Sequence, residues 1–434
     1  MTGAVGQNGP GDGPVTADPL GDYRRSMRRG GRIYVAVVGV VVLALLVVVL
    51  VAWSRGEAAH VTLHTTTAPP TLAAQSPGRT VTEAWHSTDQ VALGTPQYGG
   101  TVITYSAHTV GGRDARTGKP TWSYTRSDRT VCTAAQLNGT TIAVFELHGN
   151  CDELTALDSG TGQRRWTRTL DMDGMPIDGH PDFQTTPYTL MVTQSDVIYA
   201  IDPSSGYDRW DYYRPGCTIE HAQLGNSGVL ISQDCTPDVQ CGQLKYCGPG
   251  QQLMLRDPNA GNGDSDSPNA DQIKWIQLGN ADLPVSADTV VSTLSPDRRS
   301  VSVLDPNSGK TLREVSLGTP VSAGVTIRAL PTTTAELLWL GDRLRLLPAD
   351  PTVGSWTATV PNPPSVATPG IEDPPQLSAA RICFVAGDGR VTELDPLAGR
   401  VLHTVALAAP AGSQVWPLGA GYLVAGTSGV AAYS

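Results

Sequence analysis

Beyond residue 80 the hydrophobic positions come in short bursts rich in Val, Ile, Thr and Tyr, separated by clusters of Gly, Pro, Asp and Ser. Bursts bounded by turn-forming residues are the mark of β-strands. Around Asp158 the pattern predicts strands at 164–170, 187–193 and 196–201, with a turn at Gln194-Ser195. No stretch in this part of the chain keeps the apolar spacing of a helix. One earlier segment differs in kind. Residues 33–53 are 21 consecutive uncharged, overwhelmingly apolar positions, long enough as a helix to span a hydrocarbon core of ~30 Å.

The turns between bursts repeat. Asp-x-x-x-Gly occurs at Asp114/Gly118, Asp158/Gly162, Asp202/Gly206, Asp257/Gly261, Asp305/Gly309, Asp350/Gly354 and Asp395/Gly399, in steps of 44, 44, 55, 48, 45 and 45 residues. A period of this length belongs to a repeat array. The carboxylate can accept hydrogen bonds from the N–H groups just ahead of it, and the glycine supplies the positive φ that closes a hairpin. Trp122, Trp166 and Trp210 each stand eight residues past an aspartate, on the following strand, where an indole can fill the wedge between neighbouring sheets. All of these residues are expected to be scaffold. Four strands per period, repeated radially, make a β-propeller. Seven motifs give seven blades, and the chain ends supply an eighth: 415–434 hold three strands, and 81–86, with Trp85 at the repeat tryptophan position, hold the fourth. Shared in this way, the last blade closes the ring and removes an open sheet edge. The predicted fold is all-β, an eight-bladed β-propeller preceded by a single N-terminal transmembrane helix. Seven blades is the alternative if the repeat at Asp350 is too degenerate to count.

The string Ala-x-Asp-x-x-Thr-Gly-x-x-x-Trp, clearest in 155–166 and followed in part by 109–122, resembles the repeat of the pyrroloquinoline-quinone-like propellers. Quinoprotein alcohol dehydrogenases and the propeller lipoprotein of the outer-membrane assembly machine share that repeat, so the resemblance implies the fold and leaves function open. The vicinal cysteine pair that the resemblance would place over a quinone has no match in this chain. Neither a Cys-x-x-Cys-His motif nor a calcium-holding Glu/Asn/Asp set can be matched. The expectation is a non-enzymatic member without cofactor, metal or catalytic residues, with a cofactor-dependent quinoprotein-like dehydrogenase as the alternative.

Charge bears on the address. Arg24, Arg25, Arg28, Arg29 and Arg32 precede the apolar segment, and only Arg55 follows closely. By the positive-inside rule the N-terminus is cytoplasmic and the propeller lies outside. The apolar run exceeds the 7 to 15 residues of a cleaved signal peptide and no cysteine follows it for lipidation, so it is expected to be a signal anchor in the cell membrane. The predicted organisation is a disordered cytoplasmic tail (1–32), the anchor (33–53), a Thr/Pro-rich extended linker (54–80) and the propeller (81–434). A linker entering through the Trp85 strand places the Asp-x-x-x-Gly face toward the membrane. The chain carries a net charge of −10, while 1–32 are basic, so the propeller is acidic and unsuited to nucleic acid or an anionic lipid surface. Lysine is nearly absent, a bias that points to a high-GC, actinobacterial genome.

Seven cysteines in an exported domain predict disulfides. Cys132/Cys151 and Cys217/Cys235, 19 and 18 residues apart, each fit the start of one strand beside the end of its antiparallel neighbour. Cys241/Cys247 would close a small loop, leaving Cys383 as a buried thiol. A zinc site from Cys235, Cys241 and Cys247 is the alternative, and it lacks a fourth ligand. Binding is expected on the face opposite the Asp-x-x-x-Gly turns, where 171–184, 235–250 and 361–376 are elaborated. Asp171, Asp173, Asp178 and Asp182 mark the candidate binding loop. Their spacing departs from that of an EF-hand, which favours a solvated loop over a calcium site. The acidic stretch 257–271 is expected to be a hairpin extension on the other face. These features predict a monomeric, tethered scaffold or binding module for an envelope protein or cell-wall component.

Overall fold

The structure is a computed structural model that describes residues 38, 40–44, 59–72, 80–172, 175–176, 179–237, 239, 248–258, 273–367, 376–407, 409–410 and 412–434. The chain divides into two units, 1–61 and 62–434. In the first, residues 40–44 are helical. Among the described residues no helix is long and apolar enough to cross a membrane, and most of the predicted anchor, 33–53, lies outside them.

The second unit is a ring of eight antiparallel blades. Blade 1 runs through Thr101–Tyr105, Thr109–Asp114 and Pro120–Arg126, with Gln90–Val91 and Gln97–Tyr98 both pairing along its inner edge. Blade 2 is Thr130–Leu137, Thr140–Leu147, Asn150–Asp158 and Arg164–Thr169. Blade 3 is Asp182–Thr186, Thr189–Thr193, Val197–Ile201 and Asp208–Tyr213, and blade 4 is Cys217–Gly225, Gly228–Cys235, Gly250–Arg256 and Ile273–Leu278. Blade 5 is Leu283–Ala287, Val291–Leu294, Ser300–Leu304 and Thr311–Ser316. Blade 6 is Arg328–Pro331, Ala335–Trp339, Arg343–Pro348 and Thr357–Thr359, and blade 7 is Ser365–Ala367, Arg381–Val385, Val391–Leu394 and Val401–Val405. Blade 8 takes Gln414–Leu418, Gly421–Gly426 and Gly429–Tyr433 from the end of the chain and Glu83–Ser87 from its start. The closing register sets Glu83 opposite Tyr433 and Trp85 opposite Ala432, and Thr82 and Ser434 exchange a pair of backbone hydrogen bonds of 2.9 Å. The repeat at Asp350 builds a full blade, so the count is eight.

Each sheet packs on both faces, which explains the apolar bursts. The second strand of blade 6 and the third of blade 3 are buried at every position, whereas outer strands such as Arg164–Thr169 are mostly exposed. The core therefore consists of layers between adjacent blades. Leu137, Ile142, Val144 and Leu154 of blade 2, for example, meet Leu190, Val192 and Tyr199 of blade 3.

What spaces the blades is the repeat motif, working between neighbours. Asp158 Oδ1 accepts from the Gly160 and Thr161 amides at 3.1 and 2.9 Å, and Gly162 N–H donates to the Asp158 carbonyl at 2.8 Å with φ 75°. A methyl on Gly162 would lie 2.7 Å from Cβ and Cγ of Trp122, which belongs to the preceding blade. The Trp122 indole N–H also donates to the Ser159 carbonyl at 3.0 Å. The same pairing joins Trp85 to Gly118, Trp166 to Gly206, Trp275 to Gly309 and Trp356 to Gly399. Their indoles donate to Ala115, Pro203, Pro306 and Pro396, and Trp210 donates to Pro258. Gly261 lies outside the described residues. One motif departs. Gly354 is not left-handed and nothing stands near it, and its turn closes through Val353 N–H to the Asp350 carbonyl at 3.1 Å. The physical reason lies one blade back, where Arg313 stands in place of the tryptophan and donates to the Pro348 carbonyl.

The linker expectation is corrected for 61–72. Val61–His64 adds a strand outside blade 1, and the chain then crosses the Asp-x-x-x-Gly face. Thr66 N–H donates to the Thr161 carbonyl at 3.0 Å, the Pro70 carbonyl accepts from Gly100 at 3.0 Å, and Leu72 packs against the core between blades 8 and 1. A second correction concerns 361–376. Ser365–Ala367 forms the first strand of blade 7, and 376–380 lead into its second strand from the Asp-x-x-x-Gly face, while 368–375 lie outside the described residues. Only the residues preceding Ser365 remain on the opposite face.

A carboxyl is buried between blades 5 and 6. Glu336 is fully buried, and burial, followed by the nearby Asp288 carboxylate, pushes it well above its ordinary value of 4.5, against a smaller opposing pull from Ser286 and the Val290 amide. A raised folded value means that the unfolded chain loses this proton first as pH rises. Stability should therefore fall relative to Glu336→Gln above about pH 4.5, by up to about 1.4 kcal/mol per pH unit, in urea titrations of the two proteins. A constant difference across pH would refute the assignment. Gly162→Ala should destabilise by about 1–3 kcal/mol through the forced left-handed backbone, whereas Gly354→Ala should be neutral or stabilising by up to about 1 kcal/mol. Chemical denaturation followed by tryptophan fluorescence compares them directly.

Candidate functional site

The first strands line the axis of the ring, and their mouth opens on the face that carries the blade-to-blade links and the turns between second and third strands. A cavity of about 1090 Å³ lies there. Its wall comes from the first strands of blades 3, 4 and 5, the turns at Gln194–Asp196 and Arg298, and the link 324–327 into blade 6. Ile219, Leu283, Val285, Val325 and Ile327 make the wall half apolar, while Asp182, Asp196, Glu220, His180 and His221 supply polar groups.

Arg298 is the arginine of this wall, and its backbone is unusual. It has φ 58°, a conformation costly for a residue with a side chain, held by its N–H to the Ser295 carbonyl at 2.8 Å and by its carbonyl accepting from Val321 at 2.9 Å. Its guanidinium donates to the Ser322 carbonyl at 3.1 Å. Strain over-determined by neighbours in this way fixes a cation at the edge of an otherwise acidic opening.

Of the four aspartates of the candidate loop, Asp171 and Asp182 lie among the described residues. Asp182 lines the cavity and accepts from Gln184 Nε2 at 2.9 Å; Gln184 also ties blade 3 to blade 4 through the Ala222 carbonyl and the Leu224 amide. Asp171 sits in a short ribbon in which Asp171–Met172 pairs with Met175–Pro176. Asp173 and Asp178 lie outside the described residues.

Both described disulfides pin this same rim. Cys217 and Cys235 face each other across the first two strands of blade 4, with Cα atoms 4.0 Å apart, as the spacing predicts. Cys132 and Cys151 are also bonded, with Cα atoms 6.0 Å apart, but the geometry differs from the expectation. Cys132 is on the first strand of blade 2 and Cys151 on the third, so the bond joins the two neighbours of the second strand and not adjacent strands. A register shift there, at Val144–Glu146 on the second strand, lets the outer two approach. Cys241 and Cys247 lie outside the described residues, and Cys383 is a buried free thiol. Sγ of Cys132 and Cys151 and a nitrogen of His180 lie within 4.8 Å of one another. With the sulfurs bonded to each other, this set is not a metal site.

A second polar cluster sits where blade 7 meets blade 8. Arg381 donates through two nitrogens to the Glu393 carboxylate, both at 2.8 Å, and His403 Nε2 lies 3.2 Å from Glu393 and from the Tyr422 hydroxyl. Burial pushes the Tyr422 hydroxyl and the neighbouring Cys383 thiol upward, so both stay protonated. His403 stands eight residues past Asp395, the tryptophan position. The cluster is an internally satisfied substitute for the indole at one blade junction.

Sequence reasoning missed Trp275 and Trp356, which stand 18 and 6 residues past their aspartates instead of eight. Alignment on the strand that follows the turn would have found them. It also missed Arg298, whose conformation no local motif announces.

Four-stranded blades, interlocked turns and a rimmed axial channel define an eight-bladed propeller of the pyrroloquinoline-quinone-like repeat class. The chain belongs to the family described as outer membrane protein assembly factor BamB, matched over residues 71–216 and 297–432. No curated protein sequence matches it. Among solved structures, the computationally designed Ika8 protein is similar at 12% identity and a TM-score of 0.52, over 82% of this chain and 99% of that one. BamB from Moraxella catarrhalis is 14% identical over 81% of this chain and 99% of its own, with a TM-score of 0.46. Quinohemoprotein alcohol dehydrogenase from Comamonas testosteroni is 14% identical over 82% and 76%, also at 0.46. At these identities the likeness concerns the fold alone.

Peptide mapping without reductant should recover 132 linked to 151, 217 linked to 235, and Cys383 as a thiol. Replacing Cys217 and Cys235 together by serine should cost about 3 kcal/mol of stability, measured by chemical denaturation, and open the rim of blade 4 to proteases.

Proposed function

We propose that this protein is a membrane-tethered, extracytoplasmic propeller that holds an envelope protein at its channel mouth as a non-enzymatic scaffold. The observation that carries the reading is the mouth itself: a half-apolar cavity of about 1090 Å³, edged with carboxylates and one fixed arginine, beside two disulfide-pinned strand ends. A concave wall of this mixed character suits a polypeptide segment, whose side chains and backbone present both kinds of surface. The family's description as an assembly factor supports a scaffold role. The apolar run 33–53 behind five arginines supports the tether and the outward address. Residues 65–72 cover part of the Asp-x-x-x-Gly face, over blades 1, 2 and 8, whereas the mouth lies on the opposite face.

Photo-crosslinking in cells tests this. A crosslinker at Glu220 or His221 should capture an envelope protein, and one at Asn307, on the other face, should not. Capture from Asn307 alone would move the binding surface. A reporter fused after Ser434 should be active outside the cytoplasm. Mixing the protein with pyrroloquinoline quinone and Ca²⁺ should leave the quinone spectrum unchanged; a bound quinone with alcohol turnover would overturn the non-enzymatic reading.

A further inference from the structure

Among the described disulfides, one has an imidazole against it. His180 Nδ1 lies 3.0 Å from Cys151 Sγ. The contact is held by the backbone: the Cys151 N–H donates to the Gly179 carbonyl at 2.9 Å, and Gly179 N–H donates to Asn150 Oδ1 at 2.9 Å. The two sulfurs differ in access. Cys151 is fully buried, whereas Cys132 is partly exposed. His180 is exposed and also lines the channel mouth. The Cys217–Cys235 bond has no such neighbour among its described contacts; a glutamine amide, Gln233 Nε2, approaches Cys235 at 3.4 Å.

We propose that Cys132–Cys151, with His180 as general acid, is a thiol–disulfide exchange site for a thiol-bearing partner at the channel mouth. The incoming thiolate attacks the accessible Cys132 Sγ, and a new sulfur–sulfur bond forms as the Cys132–Cys151 bond breaks. The electron pair leaves on Cys151 Sγ, which takes the proton from His180 Nδ1. A leaving sulfur stabilised in this way departs faster. A second thiolate from the partner then attacks the partner's own sulfur in the mixed disulfide; the partner's disulfide forms as its bond to Cys132 breaks, and the released Cys132 thiolate and His180 each take a proton from water. The balance is two partner thiols oxidised to one disulfide and one protein disulfide reduced to Cys132 and Cys151 thiols. The asymmetry of exposure sets the direction of attack, and the pairing with Gly179 holds the acid on the leaving side. The site is independent of the scaffold reading, and reduction would free the strand ends that anchor one side of the mouth.

The test uses the full-length chain in mild detergent, with dithiothreitol as the thiol. Timed alkylation and peptide mass spectrometry follow each bond separately, and Cys383, buried in the folded protein, reports unfolding by becoming alkylated. Cys132–Cys151 should open before Cys217–Cys235. His180→Ala should slow the first on the order of tenfold or more and leave the second unchanged, with Cys383 still protected. An unchanged rate for Cys132–Cys151 in folded His180→Ala overturns the proposal. If that variant exposes Cys383, His180→Gln, which keeps a polar side chain of similar reach, decides by the same comparison.

Discussion

The ring depends on one contact repeated around it: an indole from one blade lying flat on a left-handed glycine in the next, with its N–H on a carbonyl of that same turn. The two residues need each other. Only glycine leaves room for the indole, and only the indole fills the space a side chain would have taken, as Trp122 and Gly162 show. The carboxylate that opens the turn holds the loop in the shape that presents both glycine and carbonyl. Because six of the eight blades contribute a tryptophan to the turn ahead, the interaction sets the spacing between sheets. Where Arg313 replaces the indole, the partner Gly354 gives up its left-handed conformation, and where His403 replaces it, a buried network takes over.

Closure is what makes the ring a platform. A row of sheets has two open edges, and here the strand carrying Trp85 satisfies one with the other while delivering the last indole to Gly118. The cost of bringing residues more than 300 positions apart is an entropic one that grows only slowly with loop length. With the scaffold closed, variation is confined to the links. On one face most turns are short and the incoming chain covers part of them, the long connections there being those from Arg256 to Ile273 and from Ala367 to Arg381. On the other they rise into the rim around the axial cavity, where two disulfides and the strained Arg298 fix positions that loops of this length would otherwise leave free.

That division places chemistry on one side of the molecule. Asp182, Glu220, His221 and Arg298 share one opening although they come from three different blades, and His180 meets the Cys132–Cys151 bond at its edge. A binding surface assembled from several blades can accept a partner without any single loop being elaborate, which is consistent with the modest acidic loop of 171–184 contributing Asp182 alone among its described carboxylates.

The architecture was legible from the chain alone because its determinants are local. A turn needs an aspartate and a glycine four residues apart, a buried middle strand needs an apolar run, and the period of these signals counts the blades. The closing strand was legible too, since Trp85 carries the repeat's mark without its turn. The partners of the two described disulfides followed from spacing, but not that Cys132–Cys151 would join the first and third strands of its blade, beside register shifts at Cys132 and Asp152. What only the tertiary structure decided is everything set by contacts between blades. It decided that 61–72 would lie on the propeller, that Ser365–Ala367 would be the first strand of blade 7, and that Trp275 and Trp356 would fill the indole position despite irregular spacing. It also decided which residues ring the mouth. Those positions carry no local pattern, because a first strand's inward side chain is ordinary in sequence and becomes a wall only when eight blades bring their first strands around one axis.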